Sequence, residues 1–140
     1  MSTILKKIKS NSWIFIAAGL MLAGLCGSFC VQAQNNPAGK TISEKKFDRL
    51  SKKKNTVVLD VRTTDEYKAG HIPHATQIDV LKKDDFKAQI AGLDKNKTYL
   101  VYCRSGKRSK DAMNIMKEMG FTKLYDLDGG FTNWTGPKEQ

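Results

Sequence analysis

Thr98-Tyr99-Leu100-Val101-Tyr102-Cys103-Arg104-Ser105-Gly106-Lys107-Arg108-Ser109 decides the reading of this chain. Thr98 to Tyr102 is a short apolar and aromatic run of the kind that forms a buried strand. At Cys103 the character changes to glycine, serine and three cations. Beyond them Ala112, Ile115, Met116 and Met119 follow the i, i+3, i+4, i+7 spacing of a helix with one apolar face, and Gly120 closes it. Cys103 therefore stands between a strand and a helix, where open parallel sheets place their ligand sites.

A loop that feeds a helix N-terminus offers backbone N–H groups without partners and about half a positive charge. Such a loop cradles anions. With a thiol at its centre the preferred anion is the thiolate, so Cys103 is expected to be an activated nucleophile. The competing reading makes Cys103 a small core residue beside a solvated turn. The Arg, Lys and Gly neighbours argue for the reactive thiol.

Outward from this loop the same alternation repeats. Ser43 is placed to cap a short helix carrying Phe47 and Leu50, ended by Lys52-Lys53-Lys54-Asn55. Val57 to Val61 is a β-branched strand of the type buried on both faces. Thr64 is placed to cap a helix through Tyr67 that stops at Gly70. Ile72-Pro73-His74-Ala75 is extended or turned, and a second strand is expected near Thr76-Gln77-Ile78. Asp84 to Leu93 reads as a helix, Lys123 to Asp126 as a last strand, and Asp128 to Trp134 as a turn leading into a brief helix. Strands alternating with helices imply an α/β domain with a mostly parallel sheet.

Tyr102-Cys103-Arg104-Ser105-Gly106-Lys107-Arg108-Ser109 resembles the active-site loop of rhodanese-like sulfurtransferases. Val58-Leu59-Asp60-Val61-Arg62-Thr63-Thr64-Asp65-Glu66-Tyr67, followed by Gly70-His71-Ile72-Pro73-His74-Ala75, resembles the amino-terminal signature of that family. Asp128-Gly129-Gly130-Phe131 with Trp134 resembles its closing motif. The resemblance implies one rhodanese-like domain over 40–136, a five-stranded, mostly parallel sheet with helices on both faces. It also implies that Cys103 takes the outer sulfur of thiosulfate, a polysulfide or another persulfide and passes it to cyanide or a thiol. Arg104, Ser105, Gly106, Lys107, Arg108 and Ser109 would then bind the donor, the cations by charge. By the same analogy Asp60 and Arg62 brace the fold. No cofactor or metal is implied.

Loop length separates sulfur from phosphate chemistry. Phosphatases and arsenate reductases with a similar loop need Cys-x5-Arg to wrap a tetrahedral oxyanion, whereas four residues separate Cys103 from Arg108. Ser109 stands where the phosphatase arginine would be.

The whole chain has 140 residues, 24 Lys+Arg against 14 Asp+Glu and a net charge of +10, proportions of a globular domain and not of a disordered chain. Its first 33 residues read as an address. Lys6, Lys7 and Lys9 precede the apolar run Trp13–Leu25, and Val31-Gln32-Ala33 ends in small-x-small fashion, the pattern of a secretory signal peptide. Cleavage after Ala33 would leave residues 34–39 as a flexible tether and an exported domain, periplasmic or extracellular. The alternative is an uncleaved anchor, since the run stretched to Val31 nears the length of a span; membrane association is expected only in that case. Cleavage lowers the net charge from +10 to +7 by taking away three lysines, and it removes Cys26 and Cys30. Cys103 is then the one thiol left, which excludes an internal disulfide.

The other conspicuous residues have plainer readings. His71 and His74 are spaced His-x-x-His, but a zinc site needs three or four ligands, so they are expected to brace turns. The lysine clusters are scattered and lack interleaved aromatics, so they read as a solvated basic surface and not as a nucleic-acid site. The absence of Cys-x-x-Cys speaks against an oxidoreductase. Two functions stay open: an enzyme turning over small anionic donors, and a persulfide relay or binding module serving a protein sulfur acceptor.

Overall fold

A computed structural model describes residues 39–140. The expected signal segment and residues 34–38 of the expected tether lie outside the described residues. Five strands form one sheet: β1 (Lys40–Ile42), β2 (Thr56–Asp60), β3 (Thr76–Gln77), β4 (Thr98–Tyr102) and β5 (Leu124–Leu127). Their order is β1-β5-β4-β2-β3, and every pairing is parallel. The connections carry α1 (Glu44–Ser51), α2 (Thr64–Lys68), α3 (Lys83–Ala91) and α4 (Lys107–Glu118), with a 3-10 turn at Gly130–Asn133.

β4 is central and sends alternate side chains to opposite faces, as the period of a strand requires. Tyr99, Val101 and Cys103 pack with Phe86 and Ile90 of α3 and with Ala112, Met113 and Met116 of α4. Leu100 and Tyr102 pack with Phe47 of α1, Ile72, Leu127 and Trp134. Helices thus cover both faces, and the apolar strands follow from that double burial. In α4 the buried stripe is Ser109, Ala112, Met113 and Met116, while Ile115 and Met119 pack at its margin. Met113 joins the stripe because a core-facing helix presents a face wider than one row of side chains.

Two local expectations are corrected. Thr63, one residue before the expected cap, caps α2 in a full capping box with Glu66. Ser43 sits at the N-cap of α1, but its side chain makes no capping bond. Packing also reaches residues on either side of 40–136. Gly39 lies within the fold, so close that a Cβ there would stand 2.7 Å from the Leu124 carbonyl oxygen. At the other end His71 and Glu139 exchange backbone hydrogen bonds of 2.8 and 2.9 Å.

Candidate active site

Cys103 follows β4 and continues its inward alternation, so its side chain is carried into the core; the residue is 1% exposed. This corrects the expectation that cations and glycine keep the thiol out of a packed environment. The parity of the strand, not the polarity of the loop, aims the side chain. Its Sγ accepts a hydrogen bond from the Gly106 N–H at 3.1 Å and lies 3.6 Å from Ser109 Oγ. Gly106 has φ +99° and is the N-cap of α4 without any side-chain cap. A left-handed residue there turns the chain back over the sulfur, a conformation that glycine adopts without steric cost.

The loop is clamped from outside by the turn after β5. Phe131 N–H donates to the Cys103 carbonyl at 2.8 Å, and Thr132 gives both its N–H and its hydroxyl to the Arg104 carbonyl at 3.0 and 2.9 Å. Gly130 (φ +60°) allows this approach, since a Cβ would meet Cys103 O at 2.6 Å and Arg104 C at 2.7 Å. The Asp128-Gly129-Gly130 motif is therefore a backbone clasp on the cysteine loop.

Apart from Gly106, the expected donor-binding residues divide into three groups. Arg104, Ser105 and Lys107 are exposed on the loop. Arg108 instead makes a two-pronged pair with Glu66, Nη1–Oε2 2.7 Å and Nη2–Oε1 2.8 Å. The Arg108 hydrogen bonds hold the Glu66 carboxyl well down, to about 2, and Glu66 pushes Arg108 up. Ser109 is fully buried and hydrogen-bonds the Gly106 carbonyl at 3.1 Å and Asp126 Oδ1 at 2.5 Å. Arg108 and Ser109 thus tie the first turn of α4 to Glu66 and Asp126, while Lys107 of the same turn is exposed.

Asp60 and Arg62 form a buried ion pair. Arg62 Nε lies 3.0 Å from both Asp60 oxygens and Nη2 2.6 Å from Oδ2, with a further bond from Nη2 to the Gly70 carbonyl at 2.8 Å. The guanidinium carbon is 4.2 Å from the Phe131 ring centroid. A buried charge pair is tolerated only with this degree of satisfaction. The backbone N–H of the same Phe131 holds the cysteine loop, so one residue touches both the pair and the loop.

Glu66, Asp126 and Thr41 were missed by sequence reasoning. Asp126 was legible only as an acid inside an apolar strand and Glu66 only as the end of a Thr-x-x-Glu capping box; Thr41 carried no local signal. His71 stacks on Tyr67 at 3.7 Å, with Nδ1 3.1 Å from the Tyr67 carbonyl oxygen, which gives it a bracing role. A groove of about 1050 Å³ opens on the α1 side between Asp48, Val57, Pro73 and Trp134. It includes no residue of the cysteine loop.

Residues 43–137 match the family model of the rhodanese-like domain. The thiosulfate sulfurtransferase GlpE of Coxiella burnetii is 36% identical over 95 residues, 68% of this chain and 86% of that protein. A putative sulfur carrier protein, YrkF of Bacillus subtilis, is 34% identical over 82 residues, 59% of this chain and 43% of that protein. Among solved structures, a rhodanese-related protein from Thermoplasma volcanium superposes with a TM-score of 0.61 at 27% identity, covering 71% of this chain and 97% of that one.

Proposed function

The chain belongs to the rhodanese-like domain family, and from that premise we propose that it is an exported sulfurtransferase whose Cys103 carries a sulfane sulfur from an anionic donor to a thiophilic acceptor. The observation that carries this reading is the Gly106 N–H held 3.1 Å from Cys103 Sγ at the N-terminus of α4. A donor fixed beside a sulfur stabilises negative charge on it before and after transfer, as an oxyanion hole does for oxygen.

With thiosulfate, the Cys103 thiolate attacks the outer sulfur. The new S–S bond forms as the bond between the two thiosulfate sulfurs breaks, and its electron pair leaves with sulfite. Cys103 is left as an anionic persulfide. Cyanide then attacks the terminal sulfur, departs as thiocyanate and returns the thiolate; a thiol acceptor leaves as its own persulfide. Arg104 and Lys107, exposed on the loop, draw the anionic donor in. Export rests on the basic and apolar pattern of residues 1–33.

The relay reading has one observation in its favour: the thiol is 1% exposed, which suits delivery by a partner that fits the loop. Steady-state thiocyanate formation from thiosulfate and cyanide separates the two. A saturable rate that Cys103→Ser abolishes supports the enzyme. Retained rate in Cys103→Ser contradicts the mechanism, and persulfide loading without turnover selects the relay.

A further inference from the structure

Beneath the cysteine loop lies a buried acid that the sulfur chemistry above does not use. Asp126, on β5, is 1% exposed. Its oxygens meet hydroxyls: Ser109 Oγ 2.5 Å from Oδ1, and Thr41 Oγ1 3.4 Å from Oδ2. A Cβ on Gly106 would stand 3.9 Å from Oδ2, so the carboxyl sits directly under the loop. Burial pushes it upward, against the pull of Ser109, Lys110 and Thr41. Ser109 links this acid to the thiol, with Cys103 Sγ 3.6 Å away on its other side.

The Ser109 hydroxyl has one proton, and three neighbours can accept it: Asp126 Oδ1, the Gly106 carbonyl and Cys103 Sγ. An ionised Asp126 only accepts, and charge-assisted bonds are the stronger ones. Ser109 then turns a lone pair toward the sulfur, which favours S–H. A protonated Asp126 donates to Ser109 instead and frees the hydroxyl proton for an anionic sulfur. The two acids are thus coupled through one hydroxyl.

We infer that Asp126 is a positioning residue that, through the Ser109 hydroxyl, sets the pH at which Cys103 becomes nucleophilic. This deepens the sulfur-transfer reading and rests on Cys103 being its nucleophile. The other groups facing the pair are Lys110 of α4 and Asp128 after β5 on the Asp126 side. On the sulfur side they are the Gly106 N–H and Arg108, the latter held by Glu66. None of these changes in the comparisons that test the coupling.

The test is the rate of Cys103 alkylation by iodoacetamide against pH, in full-length protein with folding checked by circular dichroism. Asp126→Asn keeps the shape and removes the charge, and should move the midpoint down by roughly one unit. Ser109→Ala should also move it down, because S–H loses its acceptor. Made on the Ser109→Ala background, the Asn substitution should shift the midpoint by less than half as much. An unmoved profile in Asp126→Asn, a rise in Ser109→Ala, or equal Asn shifts on both backgrounds overturns the proposal. If Asp126→Asn does not fold, the sign of the Ser109→Ala shift decides alone. Alkylation needs no sulfur donor, so thiosulfate loading of the same samples is an independent readout. Failed loading with the expected shifts defeats sulfur transfer only; loading with unmoved profiles defeats the role of Asp126 only.

Discussion

Arg108 and Glu66 clasp each other through two hydrogen bonds, 2.7 and 2.8 Å long, across 42 residues of sequence. Glu66 also accepts from the Thr63 N–H at 3.2 Å. One carboxylate therefore completes the capping box of α2 and anchors the first turn of α4, the turn that follows the cysteine loop. Arg108 is thereby tied to α2.

That double role gives Glu66→Gln a pH signature. The carboxyl sits at about 2 when folded and near ~4.3 when unfolded. Its stabilising contribution is therefore complete above the unfolded value and is lost as pH falls through the folded one. Partial exposure, 28% of the side chain, keeps the effect modest. Urea midpoints of wild type and Glu66→Gln should differ most near neutrality and converge toward pH ~2. A gap that does not change with pH would contradict the clasp.

Gly130→Ala should loosen the cysteine loop. The added methyl meets backbone of Cys103 and Arg104 at 2.6 and 2.7 Å, and φ is +60°, so neither side can yield cheaply. A loss of about 1–3 kcal/mol is expected in thermal or urea unfolding. Gly92→Ala is the control: its nearest contact would be 3.9 Å and its φ is −84°, so its stability should be unchanged or slightly raised.

Arg62→Met leaves the Asp60 carboxylate buried without its partner. Breaking such a pair costs about 3–5 kcal/mol, and the ring of Phe131 loses the guanidinium packed 4.2 Å from its centre. Denaturant titration measures the loss, and a cost below about 1 kcal/mol would mean that the pair behaves like a surface bridge.

Arg104→Ala and Lys107→Ala are expected to act on the donor and not on the fold. Both side chains are exposed, so unfolding midpoints should stay within experimental scatter. Thiosulfate kcat/KM should fall, by about tenfold in the double variant, and the gap to wild type should narrow as salt rises. A gap independent of ionic strength would remove the steering role.

The fold was legible wherever burial wrote a pattern into the chain. β4 coincides with the expected Thr98–Tyr102, and α4 follows from its apolar spacing. β1 escaped because three residues, two of them exposed, carry no periodicity; it exists through pairing with β5 more than eighty residues away. The site was half legible. Cys103 and its glycine turn are local, but the placement of Arg108 depends on Glu66, and that of Ser109 on Asp126. Neither partner is near in sequence, so these two pairings left no local trace.

The central claim, a persulfide on Cys103, is tested most directly by intact mass of the reduced protein after thiosulfate and again after cyanide. The account predicts a gain of one sulfur atom's mass, lost again as thiocyanate appears, and no gain in Cys103→Ser. No gain from thiosulfate or polysulfide, or an equal gain in Cys103→Ser, would contradict it.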